Sequence, residues 1–153
     1  MAYAGPARPL VRAWKERGLR RLASVAADLV EATLGPVAAD VITYIPPDDV
    51  RQLERGVHPA QTLARELGRR WDVPHAAVLR RARAAERQTR LSLAERRRNV
   101  ARAFAATQPV SGHVLLVDDV YTTGSTASAA ARALRDAGAA RVDVVTFARA
   151  VRG

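Results

Sequence analysis

Apolar positions recur along this chain with two different periods. Over residues 8–34, Leu22, Val25, Ala26 and Leu29 return at helical spacing, with Arg17, Arg20, Arg21, Asp28 and Glu31 between them. That pattern predicts an amphipathic helix with those four apolar residues inward, stopped by Gly35-Pro36. Asp40-Val41-Ile42-Thr43-Tyr44-Ile45 is short and β-branched and predicts a strand. Pro46-Pro47-Asp48-Asp49 breaks it into a loop. Helical spacing resumes from Pro59 to Trp71, with Leu63, Leu67 and Trp71 on one stripe. Pro59 suits a first helical turn, and Asp72-Val73-Pro74 ends the element.

Ala77-Val78-Leu79 predicts a further short strand. Residues 80–98, RRARAAERQTRLSLAERRR, hold no periodic apolar position before Leu91 and Leu93. They predict a mobile loop, then one or two helical turns ending near Asn99. Val114-Leu115-Leu116-Val117 is unbroken apolar, as expected of a strand covered on both faces of a parallel sheet. Residues 125–137 predict a helix with Ala127, Ala130, Ala131 and Leu134 inward and a stop at Gly138. Val142–Phe147 is the last strand. Strands alternating with helices argue an α/β fold with a mostly parallel central sheet flanked by helices.

Length and composition bound the class. The chain has 153 residues, which predicts a single domain over 1–153 with one sizeable core. Hydrophobic residues make 48% and charged residues 26%, close to globular averages and against disorder. There is no cysteine, which excludes a disulfide framework, a thiolate zinc site and a cysteine nucleophile. No apolar run matches a signal peptide or a membrane span, so a cytoplasmic protein without a membrane partner is expected.

The net charge is +10, and of the 25 basic residues all but Lys15 are arginine. Such a field draws polyanions, whether nucleic acid or phosphorylated metabolites. GC-rich coding produces the same Ala/Arg-rich, Lys-poor composition without any partner. His58, His75 and His113 are scattered without metal spacing and read as surface or packing residues. Trp14, Tyr44, Trp71 and Tyr121 are too spread out for a base-stacking platform.

The chemistry concentrates in Val114-Leu115-Leu116-Val117-Asp118-Asp119-Val120-Tyr121-Thr122-Thr123-Gly124-Ser125-Thr126. A buried strand runs into two adjacent carboxylates, then into hydroxyl residues around one glycine that open a helix. Ligands of open α/β sheets bind at the carboxyl ends of strands. A helix N-terminus offers unpaired N–H groups and partial positive charge to a phosphate. Gly124 permits close backbone approach, and the hydroxyls add donors. The carboxylates can accept from a diol or face a hydrated divalent cation. Phosphate site beside diol site describes a ribose 5-phosphate. An ordinary strand–helix turn capped by Asp and Thr is the plainer alternative.

This segment resembles the phosphoribosyl-diphosphate (PRPP) signature of the type I phosphoribosyltransferases. Arg51-x-x-x-Arg55-Gly56, Gln88-x-x-Leu91-x-x-x-x-Arg96-x-x-Asn99-Val100 and Ala103-Phe104 are similar to the ComF family, the competence-associated, amidophosphoribosyltransferase-like proteins. The likeness spans about Tyr3 to Arg149 and includes Lys15-x-x-Gly18. The family's N-terminal Cys-x-x-Cys zinc module has no counterpart in these 153 residues. Its RGFNQ segment reads Arg55-Gly56-Val57-His58-Pro59 here, and its PVP loop reads Tyr44-Ile45-Pro46.

The resemblance implies a type I phosphoribosyltransferase fold and Mg²⁺-dependent transfer of a phosphoribosyl group to a nitrogen acceptor, with diphosphate released. It implies that Asp118 and Asp119 are catalytic, holding the ribose 2- and 3-hydroxyls and, through water, the metal. Asp119 is also the nearest candidate for a general base. Thr122, Thr123, Gly124, Ser125 and Thr126 would wrap the 5-phosphate. Ile45, Pro46, Pro47 and Asp48, with Arg51 and Arg55, fall where the family handles diphosphate. A rigid turn and a solvated basic face are the plainer readings of these two stretches. Arg83, Arg87, Gln88 and Arg90 lie where such enzymes carry a mobile loop that closes over the reactants and excludes water. A merely solvated charge run is the alternative. The family name also implies a non-catalytic module for competence and DNA uptake, with single-stranded DNA and a competence helicase as partners. A PRPP-sensing regulator is a third reading, and a homodimer is among the candidate assemblies.

Overall fold

The computed structural model describes residues 21–47, 58–82 and 103–149. Its elements, in chain order, are α1 (Arg21–Leu34), β1 (Val41–Tyr44), α2 (Pro59–Trp71), β2 (Leu79–Arg81), β3 (Phe104–Ala106), β4 (His113–Tyr121), α3 (Ser125–Asp136) and β5 (Arg141–Arg149). β1, β4 and β5 form a three-stranded sheet in that order, and both pairings are parallel. A parallel bridge between Ile42 and His75 extends it beyond β1. There Ile42 N–H donates to the Pro74 carbonyl, and Ala76 N–H to the Ile42 carbonyl.

Both faces of the sheet are covered. α1 and α2 pack on one face, where Ala26, Val30, Leu63 and Leu67 meet Ile42, Leu115, Val117 and Phe147. α3 packs on the other, where Ala130, Ala131 and Leu134 meet Val114, Leu116 and Val142, with Leu79 and Phe104 alongside. Because alternate residues of β4 serve opposite cores, Val114, Leu115, Leu116 and Val117 are all 0% exposed. This two-faced burial is the physical reason for the unbroken apolar run.

α2 starts and stops where the pattern predicts. His58 Nδ1 accepts from Gln61 N–H at 3.4 Å, and Pro59 occupies the first turn. Asp72, in the left-handed region at φ 53°, closes the helix through its N–H to the Gly68 carbonyl.

Three expectations need correcting, and one strand is not foreseen by the sequence pattern. In α1 the buried stripe is Ala23, Ala26, Ala27 and Val30, while Val25 is 45% and Leu29 42% exposed. The alanines present little bulk, so α1 turns that side toward α2 and the sheet. The strand expected at residues 77–79 is β2, set two residues later. β3, which no periodicity announces, pairs with it antiparallel through Leu79↔Ala106 and Arg81↔Phe104. Finally, β4 does not end at Val117. It continues through Asp118 and Asp119 to Tyr121 because β5 keeps pairing with it, at Asp118↔Thr146 and Tyr121↔Arg149.

The histidines serve packing. His58 caps α2, and His75 stacks on Tyr44 with ring centroids 5.8 Å apart. His113 Nε2 meets Asp143 Oδ2 at 3.0 Å. No helix among the described residues is long and apolar enough to cross a membrane. Residues 8–20 of the first predicted helix lie outside the described residues, as does the basic run beyond Ala82.

Candidate functional site

The carboxyl ends of β1 and β4 lie side by side, and the predicted site residues that fall among the described ones follow these two strand ends. Tyr44 pairs with Val117, and Ile45 N–H donates to the Val117 carbonyl at 3.0 Å. One step further along β4 come Asp118 and Asp119. Side chains alternate on a strand, but Val120 packs with Leu115 and Val117 while Tyr121 packs with Val114 and Leu116, so the alternation shifts by one across Asp118-Asp119. Asp119 is 9% exposed and Asp118 half-buried. Asp118 Oδ1 accepts from the Asp119 N–H at 2.8 Å, which fixes one carboxylate against the strand end.

Thr122 and Thr123 are exposed and lead into Gly124, which adopts φ 76° and stands at the N-cap of α3. That left-handed conformation favours glycine. No side chain caps the helix at Gly124. The first intrahelical bond runs from Ser128 N–H to the Gly124 carbonyl at 2.8 Å. The N–H groups of Ser125, Thr126 and Ala127 therefore have no helical carbonyl to serve. Ser125 N–H is 3.4 Å from Thr123 Oγ1, and the Thr123 and Ser125 hydroxyls are 3.0 Å apart. Thr122–Thr126 thus forms one short arc of hydroxyls around a helix N-terminus, where partial positive charge favours an anion.

The loop after β1 is poor in backbone donors. Ile45 is buried and spends its N–H on β4, and Pro46 and Pro47 have none. These three positions offer an anion no backbone donor. Asp48, Arg51 and Arg55 lie outside the described residues. A cation reaches the loop from elsewhere: Arg81 Nε donates to the Pro46 carbonyl at 3.0 Å, and its guanidinium lies 5.0 Å from the centre of the Phe104 ring. Arg81 stands at the stem from which the basic run departs. Ala82 N–H donates to the Ala103 carbonyl at 2.9 Å, so these two described residues are neighbours at the end of the β2–β3 pair. Arg83, Arg87, Gln88 and Arg90 themselves lie outside the described residues.

Sequence reasoning passed over Arg81, whose one signal is its place at the edge of the basic run. It also missed the pairing of Arg149 with Tyr121, which a linear pattern cannot contain. Arg149 holds its guanidinium 5.7 Å from the Tyr121 ring centre. Beside the site, burial raises the pKa of the Tyr44 phenol. Burial, then the nearby Arg65 charge, lowers that of His75.

Residues 53–153 match the model of the phosphoribosyl transferase domain. The chain is 34% identical over 159 residues to the DNA utilization protein YhgH of Escherichia coli K12, covering 96% of this chain and 69% of that protein. It is 32% identical over 142 residues to competence protein F of Haemophilus influenzae, covering 90% of this chain and 62% of that protein. Among solved structures, glutamine PRPP amidotransferase from B. subtilis, complexed with ADP and GMP, superposes with a TM-score of 0.57 at 26% identity. That match covers 82% of this chain, which spans about a quarter (26%) of the amidotransferase chain. Orotate phosphoribosyltransferase from Aeropyrum pernix gives a TM-score of 0.51 at 19% identity, covering 86% of this chain and 73% of that one, a likeness of fold.

Proposed function

The chain belongs to the phosphoribosyl transferase domain family, and from that premise we propose that it binds PRPP with Mg²⁺ and transfers the phosphoribosyl group to a nitrogen nucleophile. The observation that carries this reading is the N-terminus of α3, opened by Gly124 at φ 76° five residues after the Asp118-Asp119 pair. A phosphate fits the N–H groups and hydroxyls of Thr122–Thr126. A ribose diol suits the adjacent carboxylates Asp118 and Asp119, which are acceptors when ionised.

The donor set suits Mg²⁺ rather than a tightly caged metal. Among the described residues no three His, Asp or Glu side chains gather into a metal cage. Two adjacent carboxylates suit a cation that keeps most of its water and takes further oxygens from the substrate. When bound, it supplies positive charge to the diphosphate. The chain's own contribution is positioning and charge placement. The bond from the anomeric carbon to the diphosphate oxygen breaks, and its electron pair leaves with diphosphate. The incoming nitrogen bonds that carbon and sheds a proton, for which Asp119, 9% exposed, is the proposed acceptor. Arg81 steadies the Pro46 loop, and Arg51 and Arg55 are the cations proposed for the diphosphate.

Isothermal titration with PRPP tests the reading, with and without Mg²⁺, on the parent chain and on Asp118→Asn combined with Asp119→Asn. Asparagine keeps the shape but exchanges charged for neutral hydrogen bonds, a difference of about 1 kcal/mol each. Two such losses predict an affinity roughly thirtyfold weaker. Unchanged affinity in a folded double variant would sink the assignment.

A second reading, a non-catalytic PRPP- and single-stranded-DNA-binding module for competence and DNA uptake, is supported by the names of the relatives and by the charge of +10. Release of diphosphate from PRPP in the presence of nitrogen acceptors separates the two. Weak DNA binding is expected in either case. Its log affinity should fall by about 0.7 per phosphate contact for each unit of log salt. Fluorescence anisotropy at several salt concentrations measures this, and no binding at low salt would leave the basic excess as composition alone.

A further inference from the structure

Gly124 is the most permissive residue type at the point where the phosphate-binding arc must be most definite. No side chain caps it, so something else must restrain it. Tyr121 meets it: a Cβ built on Gly124 would collide with Tyr121 Oη and lie 2.7 Å from Cζ and 3.1 Å from Cε2. The end of the phenol ring therefore lies against the Gly124 backbone, in the space any other residue would fill. The ring is itself held from β5. Tyr121 and Arg149 are partners at the last rung of the β4–β5 ladder, and the Arg149 guanidinium lies 5.7 Å from the ring centre, within cation–π range. Tyr121 is half-buried and also walls a groove of about 490 Å³ between α3 and β5. The ring also packs against the edge of the α3-side core, and Gly124 and Arg149 are the contacts that hold its exposed end.

We propose that Tyr121, supported by Arg149, is a positioning residue that holds Gly124 and hence the Thr122–Thr126 arc in its anion-binding shape. The proposal rests on the reading of that arc as the 5-phosphate site. Tyr121 touches the loop rather than the substrate, and it acts by removing the freedom that the glycine introduces. A misplacement of about 1 Å at such a site can cost around a hundredfold, so a loosened arc should bind the 5-phosphate about tenfold more weakly or worse.

The test uses the full 153-residue chain and two readouts. The first is the backbone order parameter of the Thr122–Ser125 amides by NMR relaxation without ligand. The second is titration with ribose 5-phosphate and, separately, with inorganic diphosphate. Tyr121→Ala should drop those order parameters from about 0.85 to below about 0.6. It should weaken ribose 5-phosphate about tenfold and leave diphosphate unchanged. Tyr121→Phe keeps the ring and should keep both values near the parent's. If the alanine variant does not fold, Tyr121→Leu, which keeps apolar bulk but withdraws the ring, carries the same expectations. A rigid loop and parent-like ribose 5-phosphate affinity in the folded variant overturn the proposal. So does an equal loss for diphosphate, which would mark general loosening. If the parent binds no ribose 5-phosphate, the functional reading fails, and the order parameters alone then decide the role of Tyr121.

Discussion

Replacing Arg70 with methionine should loosen the α1–α2 face more than an ordinary surface ion pair would. Its side chain is 15% exposed and makes five hydrogen bonds. Nη1 reaches Asp28 at 2.6 Å and Glu31 at 3.2 Å. Nε reaches Glu66 at 3.1 Å, and Nη2 reaches the Ser24 hydroxyl at 2.9 Å and the Ser24 carbonyl at 3.2 Å. These contacts hold the Arg70 pKa above the ordinary arginine value, chiefly through Asp28. The partners do not contribute equally. Asp28 is 63% exposed, so that pair is worth about 0–1 kcal/mol. Glu66 is 21% exposed, and Ser24 lies across the helix interface. Those bonds are worth about 1 kcal/mol each. Methionine replaces the stem but leaves Asp28, Glu31 and Glu66 close together, with Arg69 still on Glu66 at 2.8 Å. The expected cost is about 2–3 kcal/mol, or roughly 5–10 °C in Tm for a chain of this size. Urea denaturation and thermal melting measure it. Arg70→Lys, a point charge without the planar fork, should recover less than half. A methionine variant within about 0.5 kcal/mol of the parent would refute the argument and leave α1 held by apolar contacts alone.

Acid should destabilise the fold in two stages. Burial lowers the folded-state pKa of His75, so its contribution is present above about 6.5 and fades as pH falls below that value. The Arg69 hydrogen bond lowers Glu66 and the Arg141 hydrogen bond lowers Asp143, so their contributions are present above the ordinary carboxylate range and are lost as pH falls through it. Urea midpoints between pH 8 and 3 should drop in that order, and a flat profile would contradict both assignments. Arg81→Met should cost about 1 kcal/mol by removing the bond to the Pro46 carbonyl. It should also speed exchange of the Ala82 amide at the stem of the β2–β3 pair, and parent-like exchange there would count against the buttress.

Local rules are enough to read several elements from the residues alone. Pro59 with the Leu63–Leu67–Trp71 stripe delimits α2 because the fixed proline φ and the 3.6-residue period are properties of the chain itself. Val114–Val117 announces a strand buried on both faces, since so short an apolar run, bounded by Gly112 and by the Asp pair, suits a central strand better than a helix. The Asp-Asp-Thr-Thr-Gly arrangement likewise points to its chemistry through residue type and order. Tertiary structure decided the rest. Val25 and Leu29 fit a helical stripe as well as Ala23, Ala26, Ala27 and Val30 do, and periodicity cannot choose between two stripes of one helix. The surface of α2, with Arg70 gripping Ser24, Asp28 and Glu31, makes the choice. Asp118 and Asp119 look like loop until β5 supplies a ladder that carries β4 on to Tyr121. The three residues of β3 are too few to show a period and become a strand by pairing with β2. The support of Gly124 by Tyr121, and of Tyr121 by Arg149, crosses from one strand to another. Such contacts depend on which strands become neighbours, and that is settled by burial of the whole sheet rather than by any local stretch of sequence.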